Sequence, residues 1–223
     1  MNPALRSSAA HVFVESLSAP EPEPDDAHHL FRVLRIREGE TVTVSDGRGG
    51  WCVTKVAGGN LRVEGEAHQQ PAPRELTIAS AIPKGDRAEW MVQKLTEIGV
   101  AEIALLHCAR SIVRWEGERG ARQRSRLERV AREAAMQSRR TWLPRVIGPE
   151  AFTTIALRPG TVLAEPSGVA AGEVAEECRT IVIGPEGGFS EDELANGLPM
   201  VRLGEQVLRI ETAGLVAAVT FLT

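Results

Sequence analysis

From Glu75 onward, short runs of branched apolar residues alternate with amphipathic stretches, and this alternation limits the fold more than any other feature. "ELTIASAI", "EIALLH", "TVLAE", "TIVIG" and "MVRLG" read as strands. Between them "DRAEWMVQKLTEIG", a long segment over about 118–139, a stretch near "EAFTTIAL" and "SEDELANG" read as helices, and a closing helix begins at about Glu211. Strands that alternate with helices imply a largely parallel α/β sheet covered on both faces.

The pattern is different before this point. From His11 to about Glu66, β-rich runs ("HVFVES", "TVTVSD", "WCVTKVA", "LRVEGE") are broken by "DGRGG" and "GGN", with one helical segment, "DDAHHLFRVLRIREG". This reads as a small β-barrel, and "HQQPAPRE" with its two prolines reads as the linker. Two domains are expected, 1–70 and 71–223. With 223 residues of which 43% are hydrophobic, the chain has material for cores in both. No run approaches the ~18 consecutive apolar residues of a membrane span, and the N-terminus lacks the pattern of a secretory signal, so a cytoplasmic location is expected. Cys52, Cys108 and Cys178 are far apart and form no CxxC pair, and the only histidine cluster is His28-His29. Buried thiols and no metal site are therefore expected.

The net charge of −4 conceals a gradient. Residues 1–70 hold 7 Lys/Arg against 10 Asp/Glu, residues 71–150 hold 15 against 10, and residues 151–223 hold 4 against 10. Within the basic middle, 110–145 carries eleven arginines and four acids. On a helix, Leu127, Val130, Ala131, Ala134 and Ser138 share one face, whereas Arg122, Arg126, Arg129, Arg132, Arg139 and Arg140 fall on the other. Such a row suits phosphates; it equally suits a solvated face with pairs such as Glu128–Arg132. Arg32 and Arg35 in "FRVLR" are further candidates for phosphate contacts, and they equally suit covering the domain junction.

Ligands of parallel sheets sit at the carboxyl ends of the strands. Three turns qualify: "VLAEPSG", "IGPEGGFS" and "RLGEQVLRIETAG". In the second, three glycines would let a flat ligand approach the main chain, so a side chain on Gly187 or Gly188 is expected to fill that space. Ser190 and Glu193 match a capping box at a helix start. The phosphate-loop lysine is missing, since Phe189 follows Gly188, and no G-x-G-x-x-G is present. The turn fits a nucleoside or another ligand without a triphosphate. In the third turn, Arg209 and Glu211 stand at the edge of a helix apolar on nearly all sides, which must be buried in the core or against a partner subunit.

"IGPEGGFSEDEL" followed by "LGEQVLRIETAGLVA" resembles the C-terminal signature of the RsmE family, SPOUT-class methyltransferases that modify N3 of a uridine in 16S ribosomal RNA. "HHLFRVLRIREGE", "KGDRAEWMVQKLTEIGV", "ARSIVRW" and "EAAMQSRR" are similar to the family's other blocks, in the same order. The resemblance implies a PUA-like N-terminal β-barrel, a C-terminal α/β domain threaded through a trefoil knot, S-adenosylmethionine bound in that knot, and a homodimer acting on 16S ribosomal RNA, within the small subunit. It places the cofactor at Leu163 and Glu165, at Ile183, Gly184, Pro185, Glu186, Gly187 and Gly188, and at Leu203, Gly204, Val207, Leu208, Arg209, Thr212 and Ala213. Arg209 would stabilise negative charge on the uracil carbonyls, and Glu211 or a water would accept the N3 proton. The RNA-binding set is Arg32, Arg35, Arg122, Arg126, Arg129, Arg139 and Arg140. Met136 and Ala109 stand where the family usually has Glu, so no catalytic role is assigned to either position. An RNA-binding module of the same fold without catalysis is the alternative expectation.

Overall fold

In the computed structural model, residues 2–174 and 178–222 are described; the outer limits of the two expected domains, Met1 and Thr223, lie outside them. The chain divides into two compact units, one comprising 1–72 with 132–143 and the other 73–131 with 144–223.

The first unit is built on a four-stranded sheet in the order β1 (Ala10–Phe13), β2 (Thr41–Ser45), β3 (Gly50–Ala57) and β4 (Asn60–Gln69). β1 and β2 run parallel and the other pairs antiparallel. Val12, Leu30, Val42, Val44, Cys52 and Val56 form its core. Two short helical pieces accompany the sheet. The helix α1 (Pro3–Ser7), which the sequence patterns do not announce, is capped by the Asn2 side chain, which accepts from the Ala4 N–H. The helix α2 (Pro24–His28) continues as one π-turn over His29–Val33 and stops there, well short of the expected "REG". Arg35 takes φ 54°, a left-handed conformation that no helix interior accommodates.

Residues 132–143 are integrated into this unit by polar contacts. The buried His11 Nε2 donates to the Arg140 carbonyl (3.1 Å), so Nδ1 must accept, from the Thr43 hydroxyl (2.9 Å). The Ser45 hydroxyl is shared between the Gly50 and Thr141 carbonyls, and the Gly49 N–H also reaches Thr141. Arg132 pairs with Asp26 (2.7 Å) and Glu23 (3.2 Å) and lies over the Phe13 ring, instead of joining a free row of arginines.

The second unit contains a six-stranded, all-parallel sheet in the order β10-β8-β9-β5-β6-β7. The strands are β5 (Thr77–Ala81), β6 (Glu102–His107), β7 (Arg145–Ala151), β8 (Thr161–Ala170), β9 (Thr180–Ile183) and β10 (Met200–Arg202). The helices are α3 (Arg87–Ile98), α4 (Gly117–Gln137), α5 (Phe152–Ala156), α6 (Glu191–Leu194) and α7 (Ile210–Leu222). Central strands are buried almost throughout, as a sheet covered on both faces requires. α3 buries Ala88, Met91, Val92, Leu95 and Thr96, one helical stripe, and Gly99 closes it at φ 113°. α7 packs on α3, β5 and β9 through small residues. A Cβ at Gly214 would lie only 3.6 Å from Met91 Sδ and 3.7 Å from Ile78 Cγ2.

Two strands differ from expectation. β7 is unannounced, because "PRVIGPEA" carries Gly148-Pro149 and reads as a turn; at the sheet edge a proline without an N–H is tolerated. β8 is twice the expected length. Its pairing with β10 jumps from Leu163↔Met200 to Val169↔Val201, so residues 164–168 loop out between consecutive partners. At the amino-terminal end of β6, the buried Glu102 accepts from Thr77 and pairs with Arg145 (2.7 Å) and Arg158. Among the described residues, no helix is long and apolar enough to cross a membrane.

Candidate functional site

A cavity of about 240 Å³ opens at the carboxyl ends of β9 and β10, beside the loop bulged from the middle of β8. Its walls come from three segments. The loop bulged from β8 supplies Ala164, Glu165 and Pro166; the turn after β9 supplies Ile183, Gly184, Pro185, Glu186, Gly188 and Phe189; the segment leading into α7 supplies Leu203, Gly204, Gln206, Val207, Leu208, Ile210 and Ala213. Where the bulge rejoins β10, the two backbones approach closely. A Cβ at Gly168 would stand 2.4 Å from the Met200 carbonyl carbon, so only glycine lets β10 pass there.

The glycine turn has a definite internal logic. The Gly188 N–H bonds back to the Pro185 carbonyl (2.8 Å), and Gly188 at φ +70° takes a conformation that L side chains rarely adopt. Gly184 serves a different end. Its missing Cβ would lie 3.0 Å from the Phe189 ring, so the ring folds back over Gly184 and forms a cavity wall, braced by Phe152 at 5.8 Å. Ser190 caps α6 through the reciprocal bonds of a capping box with Glu193.

Of the fifteen positions expected to meet a cofactor, eleven line this cavity. The other four lie elsewhere. Leu163 is fully buried in the sheet core. Gly187 faces the opposite way, and a Cβ there would meet Arg110 at 3.5 Å. Arg209 and Thr212 are exposed beside the cavity without lining it. Five lining residues were not anticipated: Ala164, Pro166, Phe189, Gln206 and Ile210. Each adjoins a motif residue, so the signal was the motif itself, read one residue too narrowly.

Arg209 and Glu211 do not meet as an ion pair. Glu211, 7% exposed at the start of α7, has Oε1 3.5 Å from Arg87, and Arg87 also stands 3.7 Å from Glu186 in the glycine turn. The second oxygen of Glu211 is buried without a hydrogen-bond partner among the described residues. The guanidinium of Arg209 has no ion pair or hydrogen bond among the described residues. The cavity therefore carries two carboxylates, Glu165 and Glu186, and no lysine or arginine among its lining residues. That charge suits a cationic or neutral ligand and opposes a triphosphate.

The candidate RNA residues separate into two kinds. Arg32, Arg35 and Arg129 are exposed and unpaired among the described residues. Arg122 is exposed with only Glu118 near it (3.3 Å), and Arg126 touches Glu89 (2.8 Å). Arg139 and Arg140 lie beyond the end of α4. Arg139, at φ 60°, donates to the carbonyls of Ser8, Ala9 and Met136. Burial lowers the pKa of Arg140 to about 10. The three cysteines are buried; burial pushes Cys108 up to about 12 and Cys178 to about 11, so neither is a thiolate at neutral pH.

The second unit thus presents a six-stranded parallel sheet with a ligand-sized cavity at the carboxyl ends of β9 and β10 and the loop within β8, and the first a smaller four-stranded sheet. Residues 70–222 match the family described as RNA methyltransferase domain, and residues 22–64 the one described as RNA methyltransferase PUA domain. The Bacillus subtilis ribosomal RNA small subunit methyltransferase E is 32% identical over 86% of this chain and 85% of its own length. Its Mycobacterium tuberculosis counterpart is 35% identical over 86% of this chain and 82% of its own. The crystal structure of the Neisseria gonorrhoeae enzyme, bound to S-adenosyl methionine, superposes with a TM-score of 0.80 at 25% identity, covering 94% of each chain. The chain belongs to the ribosomal RNA small subunit methyltransferase E family.

Proposed function

We propose that this protein transfers a methyl group from S-adenosylmethionine to N3 of a uridine in 16S ribosomal RNA, presented within the small ribosomal subunit in the cytoplasm. The observation that carries this reading is the cavity: it is apolar, floored by a glycine turn, and bears carboxylates but no cation. That is the charge environment a sulfonium and an ammonium require. Gly184, Pro185, Gly188, Leu203, Gly204 and Leu208 would hold the nucleoside against main-chain groups, and Glu165 and Glu186 would face the cationic end. Bound there, the cofactor supplies an already activated methyl group.

The chain's own residues must then align uridine N3 with that methyl, exclude water and deal with one proton. Arg209, exposed at the cavity's edge and unpaired among the described residues, would stabilise negative charge on the uracil carbonyls. Glu211, whose Oε2 lacks a partner, is proposed as the proton acceptor, directly or through water. Arg122, Arg126 and Arg129 on α4, with Arg32 and Arg35 in the first unit, would contact RNA phosphates. A trefoil-knotted path around the cavity belongs to the same proposal. So does a homodimer, which the exposed Trp90 of α3 and Val219 of α7 support.

The test is transfer itself. Small subunits from cells lacking this protein, incubated with the purified chain and S-adenosylmethionine, should gain one methyl on a single uridine, mapped to N3 by fragmentation mass spectrometry. A methyl on a ribose or on another base would overturn the reading. RNA binding with no calorimetric heat from S-adenosylmethionine would make the chain a binding module.

A further inference from the structure

The glycine turn supplies little rigidity of its own. Three glycines within five residues, Gly184 to Gly188, leave a wide conformational space to be lost on ordering, and one internal bond, Gly188 N–H to Pro185 C=O, constrains it. Two more of its backbone groups, the Gly187 and Phe189 carbonyls, are held from outside, by the segment that follows β6.

Residues 108–115 are themselves fixed. The Cys108 N–H donates to Ser111 Oγ (2.9 Å), Arg114 Nη2 to the Cys108 carbonyl (3.2 Å), and the Trp115 N–H to His107 Nε2 (3.1 Å). From this base, Arg110 Nη1 donates to two carbonyls of the turn, Gly187 (3.1 Å) and Phe189 (3.0 Å). The aliphatic stem of Arg110 covers Gly187 at the place where a Cβ would point. Glu193, 7% exposed, makes a second tie: Oε1 accepts from the Ala109 N–H (2.7 Å) and Oε2 from the Ser190 N–H (2.8 Å). Neither Arg110 nor Glu193 lines the cavity.

We infer that Arg110 is a positioning residue for the cofactor cavity: by bridging the Gly187 and Phe189 carbonyls from outside, it sets the turn so that Gly184, Gly188 and the Phe189 ring form the cavity wall. A charged donor to a carbonyl is stronger than a neutral one, and one nitrogen shared by two carbonyls two residues apart fixes the chain direction between them. Without it the turn would sample other conformations, and the cofactor would bear the cost of ordering them.

This inference rests on the proposed function, so wild-type protein is measured first, by calorimetry with S-adenosylmethionine alone. No binding by the wild type defeats the functional reading. Given wild-type binding, Arg110→Ala should raise the cofactor Kd about tenfold or more while RNA affinity stays within about twofold. Arg110→Lys, whose ammonium has three donors, should recover part of the loss. In turnover, KM for the cofactor should rise more than kcat falls, and amides 186–190 should exchange faster with deuterium. Cofactor affinity within twofold of wild type in Arg110→Ala overturns the inference. Equal losses in cofactor and RNA binding overturn it too, since they would show a general loss of folding. If Arg110→Ala does not fold, Arg110→Lys decides: weaker cofactor binding at an unchanged melting temperature supports the inference, and unchanged affinity overturns it.

Discussion

Glycines that look alike in sequence have different tasks here, and each answers to a different neighbour. Gly184 makes room for a ring, Gly187 lies against the stem of Arg110 with space for a small side chain, and Gly188 supplies a backbone conformation. Gly184→Val should therefore push Phe189 into the cavity. We expect at least a tenfold loss of cofactor affinity, about 1.4 kcal/mol or more, with a stability loss of about 1–3 kcal/mol from overpacking. Gly187→Ala, meeting Arg110 at an ordinary contact distance of 3.5 Å, should change neither by more than a few tenths of a kcal/mol. Calorimetric titration and denaturant melts of the two variants check both statements. Equal damage from the two would mean that the turn tolerates no side chain at all. Among charged residues the same separation holds: Glu102 ties Arg145 and Arg158 at the amino ends of the strands, whereas Glu211 keeps one oxygen unpartnered near the carboxyl ends.

At the scale of elements, what was legible in the sequence was whatever periodicity encodes. The core strands β5, β6, β8 and β9 and the amphipathic α3 could be read because an apolar run or a 3.6-residue stripe survives any tertiary context. β7 could not, because its Gly-Pro pair carries a turn signal that only an edge position overrides. Cavity residues on the glycine turn were legible through the motif; the outward orientation of Gly187 was not, since it depends on Arg110, distant in sequence. The segment 138–143 is the clearest case of hidden structure. The sequence pattern puts its Arg139 and Arg140 on the face of a helix ending at about 139, whereas the segment is bonded to β1 and β2 of the first unit, partly through His11. Burial is the main cause that lowers the His11 pKa from 6.5 to about 4, and nearby Arg139 acts in the same direction. On acidification the unfolded chain takes up this proton first. Stability from a neutral His11 is thus complete above pH ~6.5, falls between ~6.5 and ~4, and levels off below, a loss of about 3 kcal/mol in all. Urea melts from pH 7 to 4.5 should show this decline in wild type, and His11→Gln should flatten it. An identical slope in the variant would assign the acid lability to other groups.

For the whole molecule, the charge gradient along the chain divides the labour. Two carboxylates, Glu165 and Glu186, line the cavity, whereas exposed arginines lie on α4, so damage to one should spare the other. Arg126→Ala with Arg129→Ala should weaken RNA binding and leave S-adenosylmethionine affinity within about twofold, roughly 0.4 kcal/mol. If each arginine neutralises one phosphate, the slope of log affinity against log salt should flatten by about 1.4 to 1.8. An unchanged slope would move the RNA contact to Arg32 and Arg35. The strand order has a consequence for biosynthesis. β5 sits between β9 and β6, yet β9 is made about a hundred residues after β5, and every residue lining the cavity lies between Ala164 and Ala213. On the ribosome, β5, β6 and β7 emerge first and leave one flank of β5 bare, an apolar edge open to mispairing until the later strands arrive. The nascent chain passes through this exposed stage before it has any cavity, so the cofactor can protect only a chain that has already escaped aggregation.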